Sequence, residues 1–152
     1  MGGRRTAVLI SGGGSNLQAL IDAAIAGETA TEIALVVSNR ADAFGLERAR
    51  RHGIPAVTID HRRFRDREDF EMRLDEVLRD AGIELVCLAG FMRVLTPSFV
   101  AVWRDRLLNI HPSLLPAFPG LHTHERAVAA GCQVHGCTVQ LVRPTLDDGP
   151  IL

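Results

Sequence analysis

Ala7-Val8-Leu9-Ile10-Ser11-Gly12-Gly13-Gly14-Ser15-Asn16-Leu17-Gln18-Ala19 decides the fold class. Residues 7–10 carry no polar side chain, which predicts a strand buried on both faces. Residues 16–26 place Leu17, Leu20, Ile21 and Ala24 at spacings of three and four, the mark of a helix with one apolar side. A strand that turns through glycines straight into a helix opens a parallel sheet covered by helices. The same alternation continues outward. Strands are predicted at 33–37, 56–59, 85–88, 107–110 and 138–142, and helices at 44–52, 67–81, 98–104 and 125–130. Gly53 and Gly82 end two of those helices, and Pro97 opens a third. The class is α/β, a doubly wound, mostly parallel sheet in a single domain spanning 1–152. Sheets of this kind bind ligands beyond the carboxyl ends of the strands, at the switch in strand order. That rule selects residues 11–16, 38–44, 89–95, 109–122 and 143–150.

Composition removes several chemistries. All 17 basic residues are arginine, against 18 acidic ones, and the 152-residue chain has no lysine and no tyrosine. A Schiff-base lysine and the phosphate-gripping lysine of a Walker-type loop are therefore excluded. A formal net charge of −1 argues against nucleic acid as a partner, since such binding rests largely on a positive field. The arginines of 62–69 alternate with acids and read as a solvated helix entry. No apolar run reaches the roughly 18 residues of a membrane span, and the start is too short in apolar residues for a signal peptide, so a cytoplasmic location is expected. Three cysteines, Cys87, Cys132 and Cys137, read as reduced thiols.

Three segments at the selected edge can carry chemistry. In Ser11-Gly12-Gly13-Gly14-Ser15-Asn16, glycines allow backbone N–H groups to close on an anion, and the helix N-terminus adds about half a positive charge. As a dinucleotide fingerprint the loop fails. Leu17 stands at the third glycine position, and Ser38-Asn39-Arg40 stands where a ribose-binding acid belongs, so a phosphate monoester fits better. The alternative reading of this loop, the less favoured one, is a tight strand-to-helix turn without a ligand. Asn109 and His111, two apart on an extended segment, point the same way. Together they offer an oxyanion donor and a proton-handling imidazole. Asp147-Asp148-Gly149-Pro150 is turn chemistry that also brings a carboxylate to that edge. His122-Thr123-His124 and the Cys132, His135, Cys137 group lack convincing metal-ligand spacing. Cys87 in its apolar strand has no base beside it, and Phe91, Met92 and Trp103 read as packing residues.

Read together, these segments resemble the glycinamide ribonucleotide formyltransferases of the folate-dependent formyltransferase family. The resemblance runs from Val8-Leu9-Ile10-Ser11-Gly12-Gly13-Gly14-Ser15-Asn16-Leu17-Gln18 through Ser38-Asn39-Arg40-Ala41-Asp42 and Ala89-Gly90-Phe91-Met92-Arg93. It continues through Asn109-Ile110-His111-Pro112-Ser113-Leu114-Leu115-Pro116, Pro119-Gly120-Leu121-His122-Thr123-His124, His135-Gly136-Cys137-Thr138 and Leu146-Asp147-Asp148-Gly149-Pro150. It implies a Rossmann-like fold, with 10-formyltetrahydrofolate as co-substrate, glycinamide ribonucleotide as acceptor and no metal. Asn109, His111 and Asp147 would be the catalytic set, and Gly12, Gly13, Gly14, Ser15 and Asn16 would hold the substrate phosphate. Folate would lie against Leu88, Met92, Arg93, Val94, Leu95, Val100 and Asn109 and the 143–147 loop, with Arg67 reaching its glutamate tail.

Two departures stand out. Gln140 occupies a position where family members carry a histidine, which predicts altered pH behaviour. The family fold also continues past Gly149-Pro150 with a further strand and a C-terminal helix, so the domain is expected to be C-terminally incomplete. The resemblance leaves room for a formyltetrahydrofolate hydrolase or a non-catalytic folate- or nucleotide-binding remnant. A methionyl-tRNA formyltransferase is disfavoured by the near-neutral charge. Small-molecule substrates, no membrane partner and a monomer or homodimer are the expected setting.

Overall fold

The computed structural model describes residues 2–152; Met1 lies outside them. Six strands form one sheet in the order β3-β2-β1-β4-β5-β6. They are β1 (Arg4–Ile10), β2 (Thr31–Ser38), β3 (Ala56–Thr58), β4 (Leu85–Leu88), β5 (Leu107–His111) and β6 (Thr138–Leu141). All neighbours pair parallel except β5 and β6, which are antiparallel. The helices are α1 (Ser15–Ile25), α2 (Phe44–Arg51), α3 (Arg67–Asp80), α4 (Pro97–Val102) and α5 (Thr123–Ala129). The chain builds outward from β1 to β3, then returns to β4 on the other side of β1. The switch in strand order therefore falls between β1 and β4.

Alternation along β1 divides the core between the two faces. Ala7 and Leu9 join Phe70, Leu74 and Leu78 of α3 and Phe99, Val100 and Trp103 around α4. Val8 and Ile10 join Leu17 and Ile21 of α1 and Leu46 and Ala49 of α2. The two-sided burial predicted from residues 7–10 is thus present as two separate apolar layers. Trp103 is a core residue, 1% exposed, and its indole Nε1 donates to Asp75 Oδ1 at 2.8 Å.

Every predicted element forms, with shifted ends. β1 begins at Arg4, ahead of its apolar run, because Arg4 and Arg5 pair with Thr31 and Glu32 at the polar end of β2. Arg5 also donates to the carbonyl of Ala81, tying β1 to the end of α3. The charged run before α3 is more structured than a solvated entry. Asp60 caps a short 3-10 turn, His61–Arg63, and Asp66 accepts from the Asp69 N–H at 2.8 Å as the N-cap of α3.

One buried polar contact links this scaffold to the ligand-binding edge. Glu71 on α3 is 5% exposed, and its carboxyl accepts both the backbone N–H and the hydroxyl of Thr96. Thr96 in turn caps α4 through the Phe99 N–H. The 89–96 segment, leaving β4, is therefore anchored at its far end by α3, the helix that precedes β4 in the chain.

Candidate active site

The glycine turn after β1 is shaped by contacts that exclude side chains. Gly14 sits at φ 74°, the left-handed region, and a Cβ there would lie 2.7 Å from Gly45 Cα. A Cβ on Gly45 would lie 2.4 Å from Ile10 Cδ1, so α2 approaches the turn only because both positions are glycine. The Gly45 N–H donates to the Gly12 carbonyl, and Arg48 Nε donates to the Gly13 carbonyl at 2.8 Å. These bonds turn carbonyls toward α2. The N-terminus of α1 has no side-chain cap and no acid in its first turn. Uncapped N–H groups next to exposed Gly12, Gly13, Ser15 and Asn16 match the requirements of a phosphate group.

Beyond the ends of β4 and β5 lies a cavity of about 440 Å³, lined largely by apolar side chains. Leu88, Met92, Arg93, Val94, Leu95, Val100, Asn109, His111 and Asp147 all line it, so one cavity brings together residues widely separated in sequence. The volume falls in the range of small-molecule sites. Gly12–Asn16 and Arg67 are not among the lining residues. Arg67 is exposed in the first turn of α3.

Two loops meet over the imidazole. His111 is 5% exposed at the end of β5. Its Nδ1 lies 3.3 Å from Asp147 Oδ1, and its Nε2 lies 3.0 Å from the carbonyl of Phe118. A carbonyl only accepts, so this contact is a hydrogen bond in the tautomer that carries its N–H on Nε2. Asp147 also accepts the Gly120 N–H at 2.8 Å, so one carboxylate holds both the imidazole and the 112–122 loop. This closeness depends on unusual backbone. Phe118, His122 and Asp147 adopt positive φ, at 52°, 55° and 54°, a conformation that costs non-glycine residues energy and concentrates at functional sites. Asp148 is exposed, so the turn presents one of its two carboxylates to the site.

Further polar bonds fix the loop. Ser113 Oγ donates to the Ala117 carbonyl, Thr138 Oγ1 donates to the Ser113 carbonyl, and Arg126 reaches the carbonyls of Pro119 and Leu121. Gly120, Leu121, Gln140, Leu141 and Val142 also line the cavity and were absent from the expected lining. For Gln140 and Val142 a signal existed, because alternation along β6 puts both on the face that carries Asn109 and His111. For Gly120 and Leu121 no local pattern shows that the loop folds back over β5.

Other candidates are placed away from this chemistry. Burial pushes the Cys87 thiol up to about 11, the reverse of an activated nucleophile. Cys132 and Cys137 are free and exposed. His124 and His135 pack edge to face at 4.8 Å. Among the described residues, no group of three or more His, Cys, Asp or Glu is arranged to hold a metal ion, and no helix is long and apolar enough to cross a membrane.

Known proteins share this arrangement of sequence and fold. Residues 4–152 match the formyl transferase family. The chain is 50% identical over 145 residues to the phosphoribosylglycinamide formyltransferase of Escherichia coli, covering 95% of this chain and 68% of that protein. It is 53% identical over 151 residues to a trifunctional purine biosynthetic protein adenosine-3 of Drosophila pseudoobscura, covering 98% of this chain but 11% of that much longer protein. Among solved structures, glycinamide ribonucleotide transformylase 1 from Symbiobacterium toebii superposes with a TM-score of 0.95 at 47% identity, over 99% of this chain and 71% of that one. The chain thus spans about a tenth of the trifunctional relative and about two-thirds of the single-function bacterial ones. With the glycine turn, the largely apolar cavity and this likeness in place, the chain belongs to the formyl transferase family.

Proposed function

We propose that this chain transfers the formyl group of 10-formyltetrahydrofolate to the amine of glycinamide ribonucleotide, a step of purine biosynthesis. The observation that carries the reading is the His111–Asp147 contact at the wall of a largely apolar cavity that Asn109 also lines. The names of the relatives point to the same reaction.

The chemistry follows from the residues. The pteridine and formyl group enter the cavity against Met92, Arg93, Val94 and Leu95, with Leu88 and Val100 behind them. The ribonucleotide phosphate rests on the N–H groups of Gly12, Gly13, Gly14, Ser15 and Asn16, and Arg67 attracts the glutamate tail of the folate. The amine nitrogen attacks the formyl carbon, and the carbonyl electrons move to oxygen. The Asn109 carboxamide and the His111 Nε2–H, once released from the Phe118 carbonyl, donate to that oxyanion. Asp147 keeps the imidazole oriented and receives, through water, the proton that the attacking nitrogen sheds. Collapse of the intermediate breaks the bond from carbon to N10 of the folate, and N10 takes up a proton.

In this reading the protein is a cytoplasmic enzyme of small molecules, a monomer or homodimer, with no nucleic-acid or membrane partner. The test is direct. Purified chain supplied with both substrates should form formylglycinamide ribonucleotide. Release of free formate and tetrahydrofolate without the amine would instead select a hydrolase, and folate binding without turnover of either kind would select a binding remnant.

A further inference from the structure

The polar face shared by β5 and β6 holds one atom that the reaction above leaves unused. Gln140 is 3% exposed and lines the same cavity as Asn109 and His111. Its Oε1 is fully buried and has no hydrogen-bond partner among the described residues. Buried carboxamide oxygens nearly always have a partner, so an orphan facing a ligand cavity marks a contact completed in another state of the site.

The sheet register identifies the partner. Four polar side chains occupy this face: Asn109 and His111 from β5, and Thr138 and Gln140 from β6. Thr138 Oγ1 is already engaged, donating to the Ser113 carbonyl and accepting from the Leu115 N–H. Both nitrogens of His111 face acceptors of their own. Asn109 remains. It is the directly opposed partner of Gln140 across the antiparallel pair. Opposed residues project from the same face with Cβ atoms about 4.5–5.5 Å apart, within the span of two carboxamides.

We propose that Gln140 is a positioning residue for Asn109: when folate fills the cavity, Gln140 Oε1 accepts one N–H of the Asn109 carboxamide and turns the other N–H toward the formyl oxygen. The inference rests on the oxyanion role given to Asn109 above. A carboxamide has two N–H donors in one plane, so fixing the first fixes the direction of the second. Because a glutamine side chain does not titrate, the positioning it supplies is constant across pH.

The experiment uses the full chain and two readouts. The first is turnover. Gln140→Met, apolar and of similar length, should lower kcat about ten- to a hundredfold, the cost of a slightly misplaced group, with the KM of both substrates and the Tm nearly unchanged. Asn109→Ala combined with Gln140→Met should be no slower than Asn109→Ala alone, because nothing is left to position. Multiplied losses in the double variant, or a loss carried by KM, overturn the proposal. The second readout is the side-chain amide NMR signal of Asn109 with 10-formyltetrahydrofolate bound. Its two protons should be well separated in the parent chain and should converge in Gln140→Met; identical signals overturn the proposal. Gln140→Glu, which keeps an oxygen at the same place, should retain the separated signals when ionised, and their loss there also overturns it, even if Gln140→Met fails to fold. The NMR readout does not need turnover. A chain that binds the folate yet forms no formylglycinamide ribonucleotide therefore sinks the proposed function alone, whereas a chain that does not bind the folate sinks both.

Discussion

The two ends of the ligand-binding edge are built in opposite ways. Over β1 the glycine turn is one contiguous segment that offers backbone N–H donors, shaped by the contact of Gly14 with Gly45. Over β5 and β6 the site is assembled from residues 109–111, 118–122 and 138–149, and its working groups are side chains held by contacts between loops. A backbone site needs glycines at the right spacing, and that spacing is local. A side-chain site needs register, loop closure and left-handed residues, and those are properties of the whole fold. The first region should therefore govern binding of the ribonucleotide, and the second should govern the chemical step.

The sharpest way to break that division is at the imidazole. His111→Ala and Asp147→Asn should each lower kcat by about 10²–10⁴, the usual worth of positioned acid–base help, while the affinity for glycinamide ribonucleotide stays close to the parent value. Single-turnover assays paired with calorimetric binding give both numbers. If affinity for the ribonucleotide collapses with kcat, the two regions are not separable.

Next in size is the anchor behind the cavity. Glu71→Ala removes the acceptor of two buried hydrogen bonds from Thr96, and should destabilise the fold by about 3 kcal/mol, read as a shift of the urea midpoint. The effect on function should fall on folate, whose cavity the 91–95 segment lines, and not on the ribonucleotide. A rise in the ribonucleotide KM with folate KM unchanged would contradict the assignment of this segment.

The reciprocal test is at the glycine turn. Gly45→Ala forces a methyl group against Ile10 Cδ1, and overpacking of this kind costs about 1–3 kcal/mol. Its functional cost should appear as a raised KM for the ribonucleotide, with kcat at saturation nearly preserved. A loss confined to kcat would place the turn in the chemistry instead.

The same contrast explains which parts of the molecule are legible in the amino-acid sequence. The strands of β1, β2 and β4 were legible because burial on both faces leaves an unbroken apolar run. Their polar beginnings at Arg4 and Thr31 were not, since those residues pair through backbone and make no apolar pattern. Ser11–Asn16 was legible as a strand-to-helix turn by glycine spacing alone, although the partner glycine, Gly45, carries no signal until α2 is packed against β1. Asn109 and His111 were legible as a pair because they share a strand. Asp147 was singled out from its neighbour Asp148 by resemblance; what separates them physically is a φ of 54° at Asp147, a conformation that aspartate tolerates better than most residues and that both positions could have offered. The Phe118 carbonyl on His111 is a backbone group delivered by loop closure, so no side chain in the sequence could indicate it.

Cys87 tests whether the two regions belong to one cooperative unit. It lies on β4, paired with Val8 of β1 on one side and Leu108 of β5 on the other. Burial pushes its thiol up to about 11, from 9.0 in a free side chain. Folding thus favours the protonated thiol: that stability is fully present below pH 9 and is lost as pH rises toward 11. At about 1.4 kcal/mol for each pH unit between those values, the loss comes to about 2 kcal/mol near pH 11. Cys87→Ala should abolish this part of the alkaline destabilisation, and urea unfolding at pH 8 and 10.5 measures the difference. Iodoacetamide at pH 8 should label the exposed Cys132 and Cys137 in the native chain and reach Cys87 only as the chain unfolds. Because β4 bridges the glycine turn and the imidazole corner, protection of Cys87 should decay at the same urea concentration at which both sites lose their ligands. Earlier labelling, while the ribonucleotide still binds, would show that the β1 region stands without its neighbour and that the sheet folds as two units.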